Sequence, residues 1–250
     1  MHRCYRLFIF LLLFEYVHPA VINTTDGPDR LYRFKRIIGG SPVRKGTYPW
    51  AVSVQAKRHS GLGALLRPNN EHYCGGNLEY DIALFQLKEA PVLRKINDLA
   101  PLRLPDSRAG EKWPAAGQTC IAVGWGCSFA EGPPTMKIQA IELPVLPPNV
   151  CRKMYSAYIN LTTSHEFCAG YHKGNRGICP GDSGGPLACP AEDGSLQLAG
   201  IVSATHAKQP ADYPAVFTRV SYFSDWISQV IKMNPPKIER NIFSFIHVKN

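Results

Sequence analysis

No apolar run in this 250-residue chain is long enough to cross a bilayer: the longest, the eight residues Leu7–Phe14, falls well short of the ~20 that a spanning helix needs. There is no internal repeat either, which excludes solenoid and propeller arrays. Lys and Arg outnumber Asp and Glu by 28 to 19, yet no block of basic residues of the kind that marks a polyanion site occurs. Six of the Lys/Arg and three of the Asp/Glu lie in residues 1–36, which leaves +6 on Ile37–Asn250. That excess reads as a solvated basic surface, so no nucleic-acid partner is expected. Nothing resembles a metal-ligand spacing or a cofactor fingerprint, and no metal or cofactor is expected.

What is present points outward from the cell. Arg3 and Arg6 precede the apolar run and Ala20 follows it, so residues 1–20 read as a secretory signal and the mature protein as secreted and extracellular, without a membrane anchor. Asn23-Thr24-Thr25 and Asn160-Leu161-Thr162 are glycosylation sequons, consistent with that route. The eight cysteines fit an oxidising compartment, but Cys4 leaves with the signal. Cys74, Cys120, Cys127, Cys151, Cys168, Cys179 and Cys189 remain, an odd set in which one thiol lacks an internal partner.

The polar stretch 21–36 ends in Phe34-Lys35-Arg36 before Ile37-Ile38-Gly39-Gly40, and a dibasic site ahead of a flexible glycine pair reads as a propeptide cleavage point. Beyond it, short apolar runs alternate with Gly, Pro and Asn clusters: Trp50–Gln55, Ile82–Leu87, Thr119–Val123, Lys137–Leu143, Leu196–Val202 and Ala215–Val220. This pattern predicts an all-β sandwich or barrel set rather than a β-α-β fold. Pro101–Gln118 reads as a linker between two halves. Phe223, Trp226, Ile227, Val230 and Ile231 share a helical face, which predicts a terminal helix over 222–233 that Pro235 stops.

The heptapeptide Gly181-Asp182-Ser183-Gly184-Gly185-Pro186-Leu187 is the most specific signal. Attack on an amide carbonyl needs an exposed hydroxyl on a turn tight enough to aim two N–H groups at the developing oxyanion, which flanking glycines permit. Ser183 is the candidate nucleophile, with the Gly181 and Ser183 amides as oxyanion donors.

With Tyr48-Pro49-Trp50, Cys74-Gly75-Gly76, Asp81-Ile82-Ala83-Leu84, Gly124-Trp125-Gly126 and Phe167-Cys168-Ala169-Gly170 in the same order, the chain from Arg36 to Met233 resembles the trypsin-like, chymotrypsin-fold serine endopeptidases. The resemblance implies two antiparallel β-barrels with a C-terminal helix: peptidase domain 37–234, first barrel 37–100, second barrel 118–221, helix 222–233 and tail 235–250. It implies that a trypsin-like protease cuts after Arg36, that the new amine at Ile37 pairs with buried Asp182, and that Asp81 orients the catalytic histidine. It also implies bridges Cys120–Cys189 and Cys151–Cys168. Cys179 has no family mate, because the matching position is Lys208; Cys127 falls near it, leaving either a Cys127–Cys179 bridge or free thiols. No cysteine lies in 21–36, and Arg103 stands where some relatives tether their propeptide, so the propeptide is expected to depart after cleavage.

The resemblance breaks between the Cys-Gly-Gly and Asp-Ile-Ala-Leu motifs. Only Asn77-Leu78-Glu79-Tyr80 joins them, where the family has a stretch roughly fifty residues longer that carries the histidine of the His, Asp, Ser order. Cys74 loses its partner in the same gap, which accounts for the odd thiol. The chain is therefore expected to be inactive or very weak, and its first barrel incomplete and unable to close. Specificity by the same resemblance falls to Gly177 on the pocket floor and Thr205 and Ala215 on its wall, with Ala204 replacing the usual tryptophan. An uncharged, partly filled pocket predicts small to medium apolar P1 residues and not Lys or Arg. The chain reads as a truncated version of a monomeric secreted endopeptidase that acts on proteins or peptides and meets protease inhibitors; the alternative is a pseudoprotease serving as a binding module or decoy.

Overall fold

The computed structural model describes residues 37–44, 47–51, 81–84, 101–206 and 208–235. Within them lie seven strands, β1 (Ser41–Pro42), β2 (Thr119–Gly124), β3 (Gln139–Pro144), β4 (Glu166–Ala169), β5 (Pro186–Pro190), β6 (Leu196–Ala204) and β7 (Ala215–Arg219). Two α-helices, α1 (Pro148–Tyr155) and α2 (Val220–Met233), and a 3-10 helix, Ser107–Lys112, complete the described elements. The strands form one antiparallel sheet in the order β1-β3-β2-β5-β6-β7-β4. The sheet curls far enough that β4 returns to the chain leaving β3: Val145 bridges Ala169, and the Leu146 amide donates to the Cys168 carbonyl at 2.9 Å.

The mostly β architecture with a terminal helix matches the sequence reading, and the expected second-half strands appear within one to two residues of their predicted ends. The expected strand over Trp50–Gln55 lies mostly outside the described residues, as do Phe85–Leu87 and most of the 37–100 first barrel. β1, β4, β5 and α1 were not expected. β5 is bounded by two prolines and β4 opens on a buried glutamate, so neither shows an apolar alternation. α1 starts with proline at its first position, where no amide is needed, in a stretch whose Pro-Pro pair reads as a loop.

The interior of the sheet buries Leu143, Leu187, Val202 and Phe217, with Phe167 and Phe217 stacked at 5.6 Å. Gly200 lies against both side chains, and a Cβ there would lie 2.9 Å from the Phe167 ring and 2.9 Å from the Phe217 Cβ. On the other side Val220, Phe223 and Ile227 of α2 pack on Leu198 and Ile201 of β6. The 101–118 stretch is packed rather than loose. Leu102 and Leu104 join that helix cluster, and the Leu198 amide donates to the Arg103 carbonyl. α2 begins two residues earlier than expected, and Trp226 is 40% exposed instead of core-facing. At 100° per residue the buried stripe is Val220, Phe223, Ser224 and Ile227, which leaves Trp226 on the flank.

Three disulfides staple this frame: Cys120–Cys189, Cys151–Cys168 and Cys127–Cys179. The first two are the pairings the resemblance implies. The third takes the bridged alternative for Cys127 and Cys179, both of which are buried. Cys74 lies outside the described residues.

Candidate active site

The Gly181–Gly185 segment turns tightly between the Cys179 loop and β5. Gly181 (φ 101°) and Gly184 (φ 78°) sit in backbone regions that side chains avoid. The Gly185 amide returns to the Asp182 carbonyl at 2.8 Å, and Gly184 donates to the Val202 carbonyl at 2.8 Å. Ser183 is exposed at the apex. Among the described residues its hydroxyl has no hydrogen-bond partner, and neither the Gly181 nor the Ser183 amide donates to any group. Two uncommitted amides beside an exposed hydroxyl are what an oxyanion receptor needs.

Asp182 turns the other way, into the protein, and is 2% exposed. Its carboxylate accepts from the Gly126 amide at 2.7 Å and the Cys179 amide at 3.0 Å. Gly124 and Gly126 are glycine for a steric reason: a Cβ at either would collide with the Asp182 carboxylate. Burial pushes this carboxyl up to about 6, against the pull of the two amides, and no charged side chain among the described residues offsets it. Ile37 is fully buried, and Ile38 pairs with Gly177, whose amide donates to the Ile38 carbonyl at 2.8 Å. Arg36 lies outside the described residues.

Asp81 is likewise buried, at 4% exposure. Its Oδ2 accepts from the Ser203 hydroxyl at 2.6 Å, and its carbonyl accepts from the Thr218 hydroxyl at 2.9 Å. Ser203 therefore belongs to the site. It also ties the two halves of the site together: Val202 holds the serine turn through its backbone while the next residue on β6 holds the aspartate. No local signal reveals this bond, because its partners are 122 residues apart.

The described histidines are engaged elsewhere. His165 Nδ1 contacts the Ser164 hydroxyl, His172 Nδ1 the Asp212 carbonyl, and His206 Nδ1 the Gln209 amide while its ring stacks on Tyr213 at 4.3 Å. None bonds to Ser183. His59 and His72 lie outside the described residues. Of the pocket residues, Gly177 is buried, and a Cβ there would meet the Pro210 carbonyl at 2.8 Å. Ala215 is 1% exposed and pairs with Ala169 inside the core. The Thr205 hydroxyl is buried without a partner among the described residues. A cavity of about 40 Å³ lined by Leu146, Cys151, Phe167 and Arg219 involves none of these groups. Among the described residues no cluster of His, Cys, Asp and Glu could hold a metal, and no helix is long and apolar enough to cross a membrane.

The trypsin family model matches residues 68–227. Trypsin of Squalus acanthias is 29% identical over 235 positions, taking in 78% of this chain and 96% of that protein. Trypsin-1 of Salmo salar is 30% identical over 189 positions, covering 76% of this chain and 71% of its own. Transmembrane protease serine 7 of Homo sapiens is 34% identical over 248 positions, covering 78% of this chain, which spans 28% of that longer protein. The chain belongs to the trypsin-like serine endopeptidase family.

Proposed function

We propose that this chain is the body of a secreted endopeptidase that hydrolyses peptide bonds through an acyl-enzyme on Ser183 and that, as written, lacks its general base. Ser183 is the nucleophile, the Gly181 and Ser183 amides receive the oxyanion, and Asp81 is held ready to orient an imidazole. Cleavage after Arg36 frees the Ile37 amine for Asp182. The observation that carries the reading is the exposed Ser183 hydroxyl between two uncommitted amides, tied through Val202 and Ser203 to buried Asp81. The spacing of the motifs supports the gap between Leu78 and Glu79: only Asn77-Leu78-Glu79-Tyr80 separates Cys74-Gly75-Gly76 from Asp81-Ile82-Ala83-Leu84. The two-barrel description of the complete fold belongs to the same reading, with the curled β3-to-β4 sheet as the second barrel.

A fluorophosphonate probe is expected not to label Ser183 in the present chain, because a hydroxyl without a base stays protonated. Labelling at ordinary protease rates overturns the missing-base reading. Sequencing transcripts across Leu78-Glu79 is expected to find forms with an inserted segment containing Ala-His-Cys. Uniform absence of such a segment moves the protein to the binding-module reading.

The complete enzyme is expected to cleave after Ala, Val, Leu or Phe faster than after Arg. Gly177 brings no carboxylate and Thr205 and Ala215 are not glycine, so a guanidinium would be desolvated without a partner. Comparison of kcat/KM on matched peptides checks this, and faster cleavage after Arg refutes it. Export itself predicts a glycan on Asn160, which is exposed in the coil after α1. Peptide-N-glycosidase is expected to lower the mass of the secreted protein; an unmodified Asn160 in protein recovered from the medium contradicts that route. Asn23 lies outside the described residues.

A further inference from the structure

We infer that the Cys127–Cys179 disulfide is a positioning element that holds the Asp182 cradle, and with it the Gly181–Ser183 turn, in its working arrangement before any amine is freed at Ile37. The inference rests on the reading of that turn as the oxyanion receptor. The two donors to Asp182 are the amide of Gly126, which adjoins one half-cystine, and the amide of Cys179, which is the other. They come from segments that the chain brings together only over long range, since the cysteines are 52 residues apart. The bridge joins those segments at the point where the carboxylate needs both. The Cys127 amide adds a bond to the Pro180 carbonyl at 3.0 Å, and a Cβ on Gly181 would lie 3.1 Å from the Gly126 Cα, so the serine turn rests directly on the bridged segment.

The disulfide also reaches the activation segment. Both half-cystines pack in one buried cluster with Ile38, with Ala211 against it. Ile38 in turn is paired to Gly177, two residues before Cys179. One covalent link therefore borders the carboxylate's donors, the oxyanion turn and the segment that carries the new terminus. A buried carboxylate keeps its place only while its donors keep theirs, because losing one leaves a desolvated charge without compensation. A crosslink at both donors removes the chain entropy of bringing them together, which is the cost that cleavage would otherwise have to offset. Here the thiol of Cys179 is spent on the cradle rather than on the Lys208 side of the pocket.

Hydrogen exchange on the oxidised full chain tests this without any catalytic readout. In uncleaved protein the Gly126 and Cys179 amides are expected to be as protected as after cleavage at Arg36; protection that appears only after cleavage overturns the proposal. In the volume-keeping variant C127A/C179V the same two amides are expected to exchange on the order of 10²-fold faster, with the β2–β5 amides unchanged. The control C151A/C168A is expected to leave Gly126 and Cys179 as they are. Unchanged protection in C127A/C179V overturns the positioning role. If that variant does not fold, the comparison of cleaved and uncleaved protein still decides. Failure of the endopeptidase reading would show as transcripts that uniformly lack the inserted segment, a result that does not move these exchange rates.

Discussion

Inserting a histidine-bearing segment of the family's length between Leu78 and Glu79 is expected to raise kcat of the activated protein by about 10⁶, the factor that loss of the base removes in related triads. Three of the parts that such a segment must meet are in place. The Ser183 hydroxyl is exposed, two amides beside it are uncommitted, and Asp81 is buried with one carboxylate oxygen held by Ser203 at 2.6 Å. Among the described residues no histidine bonds to that hydroxyl, and catalysis needs a ring nitrogen within about 2.6–3.2 Å of it to take its proton and pass it to the leaving amine. The gain is expected to depend on Asp81: D81N in the restored protein should lose about 10⁴ in kcat, because the amide stabilises the wrong imidazole tautomer. S183A should lose the whole gain. Burst kinetics with an active-site titrant count competent molecules and separate catalysis from folding. A restored protein that folds, is cut after Arg36 and is no faster than the present chain would refute the base-deletion account.

A second large effect is expected in the stability of the uncleaved chain. Its urea midpoint should fall as pH rises from about 4 to 7, by an amount corresponding to up to about 3 kcal/mol from Asp182 alone. The sign follows from burial. The carboxyl ionises near 3.8 when solvated and is pushed up to about 6 in the folded protein. Between those values the folded state keeps a proton that the unfolded chain has lost, so stability is fully present below about 4 and is lost as pH rises through 6. In D182N this slope should largely vanish, whatever the variant's absolute stability, since the amide also loses one acceptor toward the Cys179 amide. Cleavage at Arg36 should shrink the same slope, because an ammonium beside the carboxylate removes the penalty on its charged form. Equal slopes for the uncleaved parent and D182N would show that Asp182 carries no such burden.

Local pattern and order were enough to read much of this protein without coordinates. A glycine-flanked serine heptapeptide, an Asp-Ile-Ala-Leu motif, a Gly-Trp-Gly turn and an amphipathic last helix are each legible within a few residues. The gap expected after Cys-Gly-Gly rests on an odd cysteine and on the histidine expected there, and it lies outside the described residues. Tertiary structure decided what depends on partners far apart in the chain: the Ser203 to Asp81 bond, the choice of Cys127 as mate for Cys179, and the packing of 101–118 against α2. It also decided why Gly124 and Gly126 must be glycine, which is the room taken by a carboxylate more than fifty residues later in the sequence. Periodicity and turn chemistry are written in neighbouring residues, whereas a hydrogen bond, a bridge or a steric vacancy belongs to two segments at once and exists only after the chain has folded.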